Sequence, residues 1–170
     1  MSGRKITLVL GGARSGKSRY AESLIAACPP PWVYVATAEP FDDEMRARIA
    51  EHRARRSADW RVIEAPRDLV DALRKNSAGG AVLVDCLTLW LSNLMLADVE
   101  IEAECDRLEA VLAGVAGPIV LVSNEVGLGI VPDNALARRF RDAQGRLNQR
   151  IAACADRVVL MVAGLPLVVK

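Results

Sequence analysis

The sequence predicts an α/β fold: a mostly parallel sheet with helices on both faces and an antiparallel hairpin at its C-terminal edge. Three observations carry this. Short apolar runs rich in β-branched residues recur along the chain, which is how strands buried on both faces read. Segments with helical spacing separate them, as crossovers between parallel strands require. The last two runs, Val158–Val162 and Leu167–Val169, are joined only by Ala163-Gly164-Leu165-Pro166, short enough for a hairpin. The 170 residues show no repeat, low-complexity tract or linker. Since a domain usually takes ~150 residues, 1–170 reads as one catalytic domain.

Each element follows in order. Ile6–Leu10 is a short strand that ends at Gly11-Gly12, and residues 17–28 are helical until Pro29-Pro30-Pro31 stops them. Trp32–Ala36 is the second strand. Asp43 to Arg56 is a charged helix with Met45 and Ile49 at i, i+4, and Arg61–Ile63 is a short strand. Asp68 to Lys75 is helical, Gly79-Gly80 turns the chain, and Ala81–Val84 is a strand ending at Asp85. Helices over Leu87–Leu96 and Glu100–Leu112 precede the strand Ile119–Val122. Asn134–Ala155 is a long helix whose apolar face runs through Leu136, Phe140, Ala143, Leu147, Ile151 and Cys154.

Composition narrows the function. Apolar residues make up 52%, which excludes a disordered chain. Lys+Arg minus Asp+Glu is 22 − 21 = +1, which argues against a nucleic-acid coat or a polybasic membrane anchor. The four cysteines (Cys28, Cys86, Cys105 and Cys154) lack C-x-x-C spacing, so they read as buried thiols of a reducing compartment. The longest apolar stretch, Val158–Val169, is interrupted by Gly164 and Pro166 and falls short of the ~20 residues a spanning helix needs. Ile6–Leu10 is too short for a signal-peptide core, so a cytoplasmic location is expected.

The strongest chemical signal is Gly11-Gly12-Ala13-Arg14-Ser15-Gly16-Lys17-Ser18, which fits G-x-x-x-x-G-K-[ST] between a strand and a helix. Glycines let the backbone curl so that successive N–H groups face phosphate oxygens, and the helix N-terminus adds partial positive charge. In such a P-loop the lysine reaches the β- and γ-phosphates and the hydroxyl reaches Mg²⁺, roles that fall to Lys17 and Ser18. Asp85, at the end of an apolar strand, reads either as a carboxylate for that Mg²⁺ or as a helix N-cap. Glu125 follows the next strand, at the edge where open α/β sheets bind ligands; it reads equally as a base or as a solvated loop acid.

His52 is the only histidine. Its spacing after Met45 and Ile49 suits a half-buried ring, whereas Arg46, Arg48, Arg53, Arg55 and Arg56 crowd the same segment. Guanidiniums bind phosphate in a bidentate fork, and a neutral imidazole beside a triphosphate can attack its α-phosphorus. The same arginines also suit a solvated face paired with Asp42, Asp43, Glu44 and Glu51.

A resemblance bears on these alternatives. The P-loop continues as Arg19-Tyr20-Ala21-Glu22. It is followed by Tyr34–Ala38, Asp42–Met45, Arg48–Arg56, Trp60 and Glu64, then Val84–Trp90, Asn124–Pro132 and Ala137–Asp142 with Gly145, Asn148 and Gln149. This ordered set, covering the chain from about Ile6 onward, resembles the bifunctional adenosylcobinamide kinase / adenosylcobinamide-phosphate guanylyltransferase family of cobalamin biosynthesis. The resemblance implies a RecA-like P-loop fold, a propeller-shaped homotrimer, and two reactions. One moves a γ-phosphoryl group from ATP or GTP to the aminopropanol hydroxyl of adenosylcobinamide. The other moves GMP from GTP onto that phosphate, releasing pyrophosphate, through a GMP-histidine intermediate that matches His52. It implies nucleotide contacts at Gly11 through Ser18, at Thr37, Ala38 and Glu39, at Arg53, Ala54, Arg55 and Arg56, and at Glu64 and Asp85. Ser57 and Val62 stand where the family commonly has Pro and Thr, which affects the path to Glu64 but not the proposed chemistry.

Two other classes are weighed against this one. A different small-molecule P-loop kinase would form no covalent intermediate. A nucleotide-gated switch would need the guanine-reading N-K-x-D, which is absent: the lysines are Lys5, Lys17, Lys75 and Lys170. No short motif reads the guanine base or marks the corrinoid site. The arginines of the long helix (Arg138, Arg141, Arg146 and Arg150) read either as a phosphate-facing row or as a solvated one.

Overall fold

The computed structural model describes residues 6–39, 57–77 and 79–170. The expected helix over 43–56 lies outside them. Strands β1 (Ile6–Gly11), β2 (Trp32–Ala36), β3 (Trp60–Glu64), β4 (Val82–Asp85), β5 (Ile119–Asn124), β6 (Arg157–Val162) and β7 (Leu165–Val168) form one sheet in the order β3-β2-β4-β5-β1-β6-β7. All neighbours pair in parallel except β6 and β7, which are antiparallel. The helices are α1 (Lys17–Ala26), α2 (Leu69–Asn76), α3 (Leu87–Leu96), α4 (Ile101–Gly114) and α5 (Ala135–Cys154).

Side chains alternate across the sheet, so each strand feeds two cores. One holds Leu8, Val84, Ile119 and Leu121 against Leu73 of α2, Trp90 of α3, Leu108 of α4 and Leu147 of α5. The other holds Val9, Leu83, Val120 and Val122 against Ala21 and Ile25 of α1. Burying each large side chain contributes roughly 1.5–3 kcal/mol, so these cores fix the sheet and the edge on which its strands end.

Two boundaries differ from expectation for physical reasons. Pro166, expected in the connection, lies within β7 opposite Met161, and the turn is only Ala163-Gly164. Proline is tolerated there because β7 is the last strand and its outer edge forms no ladder. Leu136, expected on the apolar face of the long helix, is 54% exposed, because the first turn of α5 lies past the rim of the core, which the helix meets from Phe140 onward. Asn134 caps α5 as its position suggests, its Oδ1 accepting the Ala137 N–H at 2.7 Å. Among the described residues, no helix is long and apolar enough to cross a membrane.

Candidate active site

The parallel strands all end on one edge, and the glycine-rich loop starts there. A Cβ on Gly11 would lie 2.6 Å from Ser15 Oγ and 2.8 Å from the Met161 carbonyl oxygen, so only glycine lets the loop fold back onto the sheet. Gly16 takes φ +93° as the N-cap of α1, a left-handed conformation that glycine adopts without strain. The turn between β6 and β7 supports the loop from outside: the Gly164 N–H donates to the Ser15 carbonyl at 3.1 Å. Gly12, Ala13 and Arg14 form the exposed lip, and Ser18 is half-buried in the first turn of α1.

Lys17 is 8% exposed, and its Nζ donates to the Gly12 carbonyl. Burial pulls its ammonium below the ordinary lysine value, and the Asp85 carboxylate offsets only part of this. Ser15 Oγ is buried with no hydrogen-bond partner among the described residues. A buried orphan hydroxyl is costly. It belongs to the same loop as the buried Lys17, and both are groups suited to an anion's oxygens.

The facing wall comes from three other strands. Asp85 ends β4, and its Oδ2 accepts from the Tyr34 hydroxyl at 3.1 Å. The N-cap of α3 is Cys86, with no side-chain cap bond, so the carboxylate of Asp85 is not spent on the helix. Burial and the neighbouring Asp85 push the Cys86 thiol up to about 12, which leaves it protonated and unreactive. Thr37 is fully buried: its Oγ1 donates to the Cys86 carbonyl at 2.7 Å and accepts the Cys86 N–H at 2.8 Å. Its own carbonyl accepts from Asn93 Nδ2 at 2.8 Å. Thr37 therefore clamps the end of β2 to the end of β4, next to Asp85.

Ala38 and Glu39 continue from Thr37 half-buried, with Glu39 Oε1 4.0 Å from Arg67 Nε. Glu64 is exposed at the end of β3, in register with Ala36, which is itself in register with Asp85. Gly11 through Ser18, Thr37, Glu64 and Asp85 thus share the carboxyl edge. His52, Arg53, Ala54, Arg55 and Arg56 lie outside the described residues. Glu125 Oε1 accepts the Gly127 N–H at 2.6 Å, which binds that carboxylate into its own loop.

The sequence reading missed a buried polar cluster behind the wall. Ser123 Oγ donates to Asn148 Oδ1 at 2.7 Å, and Gln144 Nε2 donates to both at 2.9 and 3.0 Å. Its trace in the sequence is the pair Gln144 and Asn148 at i, i+4, alongside the apolar stripe of α5. Four arginines of that helix hold protein groups. Arg150 pairs with Glu102, Asp106 and Glu109 of α4, Arg146 lies 3.8 Å from Glu102, and Arg141 pairs with Asp142. Arg138 donates to the Pro132 and Asp133 carbonyls.

A triphosphate cradle with a carboxylate facing its lysine can bind nucleotide and stabilise charge moving between phosphates. Comparison with known proteins narrows that chemistry. The family described as cobinamide kinase / cobinamide phosphate guanyltransferase matches residues 7–169. The bifunctional adenosylcobalamin biosynthesis protein CobP of Pseudomonas aeruginosa is 52% identical over 166 residues, covering 96% of each chain. The bifunctional adenosylcobalamin biosynthesis protein CobU of Salmonella typhimurium is 45% identical over 179 residues, covering 96% of this chain and 98% of that one. Among solved structures, the flagellar accessory protein FlaH of Methanocaldococcus jannaschii superposes with a TM-score of 0.53 at 12% identity, covering 99% of this chain and 79% of that one. That likeness shows a shared α/β fold.

Proposed function

The chain belongs to the cobinamide kinase / cobinamide phosphate guanyltransferase family, and from that premise we propose how its residues divide the two reactions. The Gly11–Ser18 cradle grips the triphosphate in both. In the kinase reaction, ATP or GTP gives its γ-phosphoryl group to the aminopropanol hydroxyl of adenosylcobinamide. In the transferase reaction, His52 attacks the α-phosphorus of GTP, pyrophosphate leaves, and the GMP-histidine passes GMP to adenosylcobinamide phosphate.

The observation that supports this most is the buried Lys17 ammonium of the glycine-rich loop, which feels the charge of the strand-end carboxylate of Asp85. Mg²⁺ is commonly held by one or two carboxylates and the substrate's own phosphates, and Asp85 offers such a carboxylate at the end of β4. Ser18 and Asp85 would hold it, and when bound it would offset charge on the phosphates. Lys17 holds the β- and γ-oxygens, and the backbone N–H groups of the loop orient the chain of phosphates. Arg53 and Arg56 steady the triphosphate next to His52, with Ala54 and Arg55 between them. Thr37, Ala38, Glu39 and Glu64 line the remaining edge.

A homotrimer fits the sheet's far edge, where Leu165, Leu167 and Val168 of β7 are 71%, 56% and 55% exposed. An apolar edge strand of this kind suits cover by a second copy of the chain.

The test is covalent labelling. Incubation with GTP labelled at the α-phosphate should give protein-bound label that survives denaturation, is released by acid, and is absent from His52→Ala. Transferase activity should fall more than kinase activity on acidification, because a protonated imidazole has no lone pair with which to attack. Persistent label on His52→Ala would remove the histidine from the mechanism. A kinase that never labels would favour a P-loop kinase without a covalent carrier.

A further inference from the structure

Asn124 ends β5 in register with Gly11, the residue that opens the cradle. Alternation along β5 sets its direction. Ile119 and Leu121 enter the core under α2 to α5, and Ser123 follows them into the polar cluster of α5. Val120 and Val122 enter the core under α1, and Asn124 continues that side. Leu83, two residues before Asp85 on β4, belongs to the same face. Since Asp85 is in register with Val122, Asn124 stands two residues beyond Asp85, toward the nucleotide edge, on the side where α1 begins with Lys17.

The backbone of Asn124 is held at both ends. Its N–H donates to Thr88 Oγ1 at 2.8 Å, and its carbonyl accepts from Asn148 Nδ2 at 3.1 Å. Asn148 is itself fixed by Ser123 and Gln144, and Ser123 and Gln144 are fully buried. Such a buried uncharged network is costly to assemble, and what it fixes is the position of one strand end. The Asn124 side-chain amide, by contrast, makes no hydrogen bond to any described residue. Its neighbour Glu125 cannot take the same role through Oε1, which holds the Gly127 N–H.

We propose that Asn124 is a catalytic residue of the phosphoryl transfer, its Nδ2–H donating to an oxygen of the γ-phosphoryl group as that group leaves the nucleotide. In that step the acceptor hydroxyl oxygen forms a bond to the γ-phosphorus while the bond to the bridging oxygen breaks. The nucleoside diphosphate departs with the electron pair, and the hydroxyl proton passes through the product phosphate to water. A neutral amide can donate to these oxygens without itself titrating, where a carboxylate would repel them. In guanylyl transfer the γ-phosphate is only part of the departing pyrophosphate, so the same contact matters less.

The proposal rests on the reading that the cradle holds the triphosphate, which Lys17→Ala tests separately. Asn124→Ala in the full chain should lower the kcat of cobinamide phosphorylation by about 10²-fold, the scale of losing one preorganised donor. Nucleotide KM should change far less than kcat, and the kinase loss should exceed any loss in GMP labelling at least tenfold. Asn124→Leu, which keeps the shape but not the donor, should behave alike and provides the measurement if the alanine variant folds poorly. Unchanged phosphorylation in either variant would overturn the proposal. So would an equal fall of both reactions with a lowered Tm, which marks a merely structural residue. If Lys17→Ala abolishes nucleotide binding while Asn124→Ala phosphorylates normally, the cradle stands and only Asn124 is displaced.

Discussion

The two sides of the nucleotide edge are built in opposite ways. The cradle is contiguous: eight residues from Gly11 to Ser18, shaped by two glycines and the start of one helix. The facing wall is assembled from Thr37, Asp85, Asn93, Thr88 and Asn124, with the bonds Thr37–Cys86 and Asn93–Thr37 spanning 49 and 56 positions of sequence. The cradle supplies N–H groups through its backbone and charge through the Lys17 side chain. The wall supplies side chains whose aim depends on buried hydrogen bonds. A substitution in the cradle should therefore act on nucleotide binding and on both reactions, whereas one in the wall should act on rate or stability selectively.

The largest departure from that rule is expected at Asp85, whose proposed hold on Mg²⁺ would serve both transfers. Asp85→Asn should reduce both activities by about 10²-fold, in line with loss of one charge-stabilising group. Part of the loss should return at high Mg²⁺ concentration. Activity that ignores both the substitution and Mg²⁺ would leave Asp85 without a role beyond its bond to Tyr34.

A smaller effect should separate aim from chemistry. Thr37→Val keeps the shape but strands the buried Cys86 N–H and carbonyl. The expected cost is about 2 kcal/mol, a Tm lowered by about 4–8 °C, with nucleotide KM nearly unchanged. Thermal melts beside steady-state kinetics would show this, and an unchanged Tm would dissolve the clamp between β2 and β4.

The smallest effect concerns pH. The charged form of Lys17 is disfavoured by burial, so its pKa lies below the ordinary 10.5. A bound triphosphate favours that charged form, so nucleotide binding should take up a proton at alkaline pH. Affinity should weaken as pH rises through the lowered value, earlier than an ordinary lysine would dictate. Calorimetry in buffers of different ionisation enthalpy measures the uptake directly. Lys17 accounts for it only if Lys17→Ala, which also weakens binding, loses the uptake.

What was legible in the sequence follows the same division. The cradle, the strand ending at Asp85 and most helix limits could be read because each depends on neighbours a few residues away: glycine before a helix, a run of β-branched residues, proline after a helix. The roles of Thr37 and Asn148 could not, because their meaning lies in partners brought close only by the sheet order β2-β4-β5-β1. Asp85 stood between two readings until the structure showed Cys86 at the N-cap instead. The arginine row of α5 was ambiguous for the same reason, since nothing within the helix reveals that α4 presents Glu102, Asp106 and Glu109 to Arg150.

The central claim is that one cradle serves two different transfers, and Lys17→Ala in an otherwise intact chain tests it most directly. Cobinamide phosphorylation and GMP labelling from GTP would be measured on the same preparation. Both should fall together by at least about 10²-fold, as expected when one charge-stabilising group is removed from a shared site. If either reaction kept its normal rate while the other was lost, the two transfers would have to use separate nucleotide sites, and the account would be contradicted.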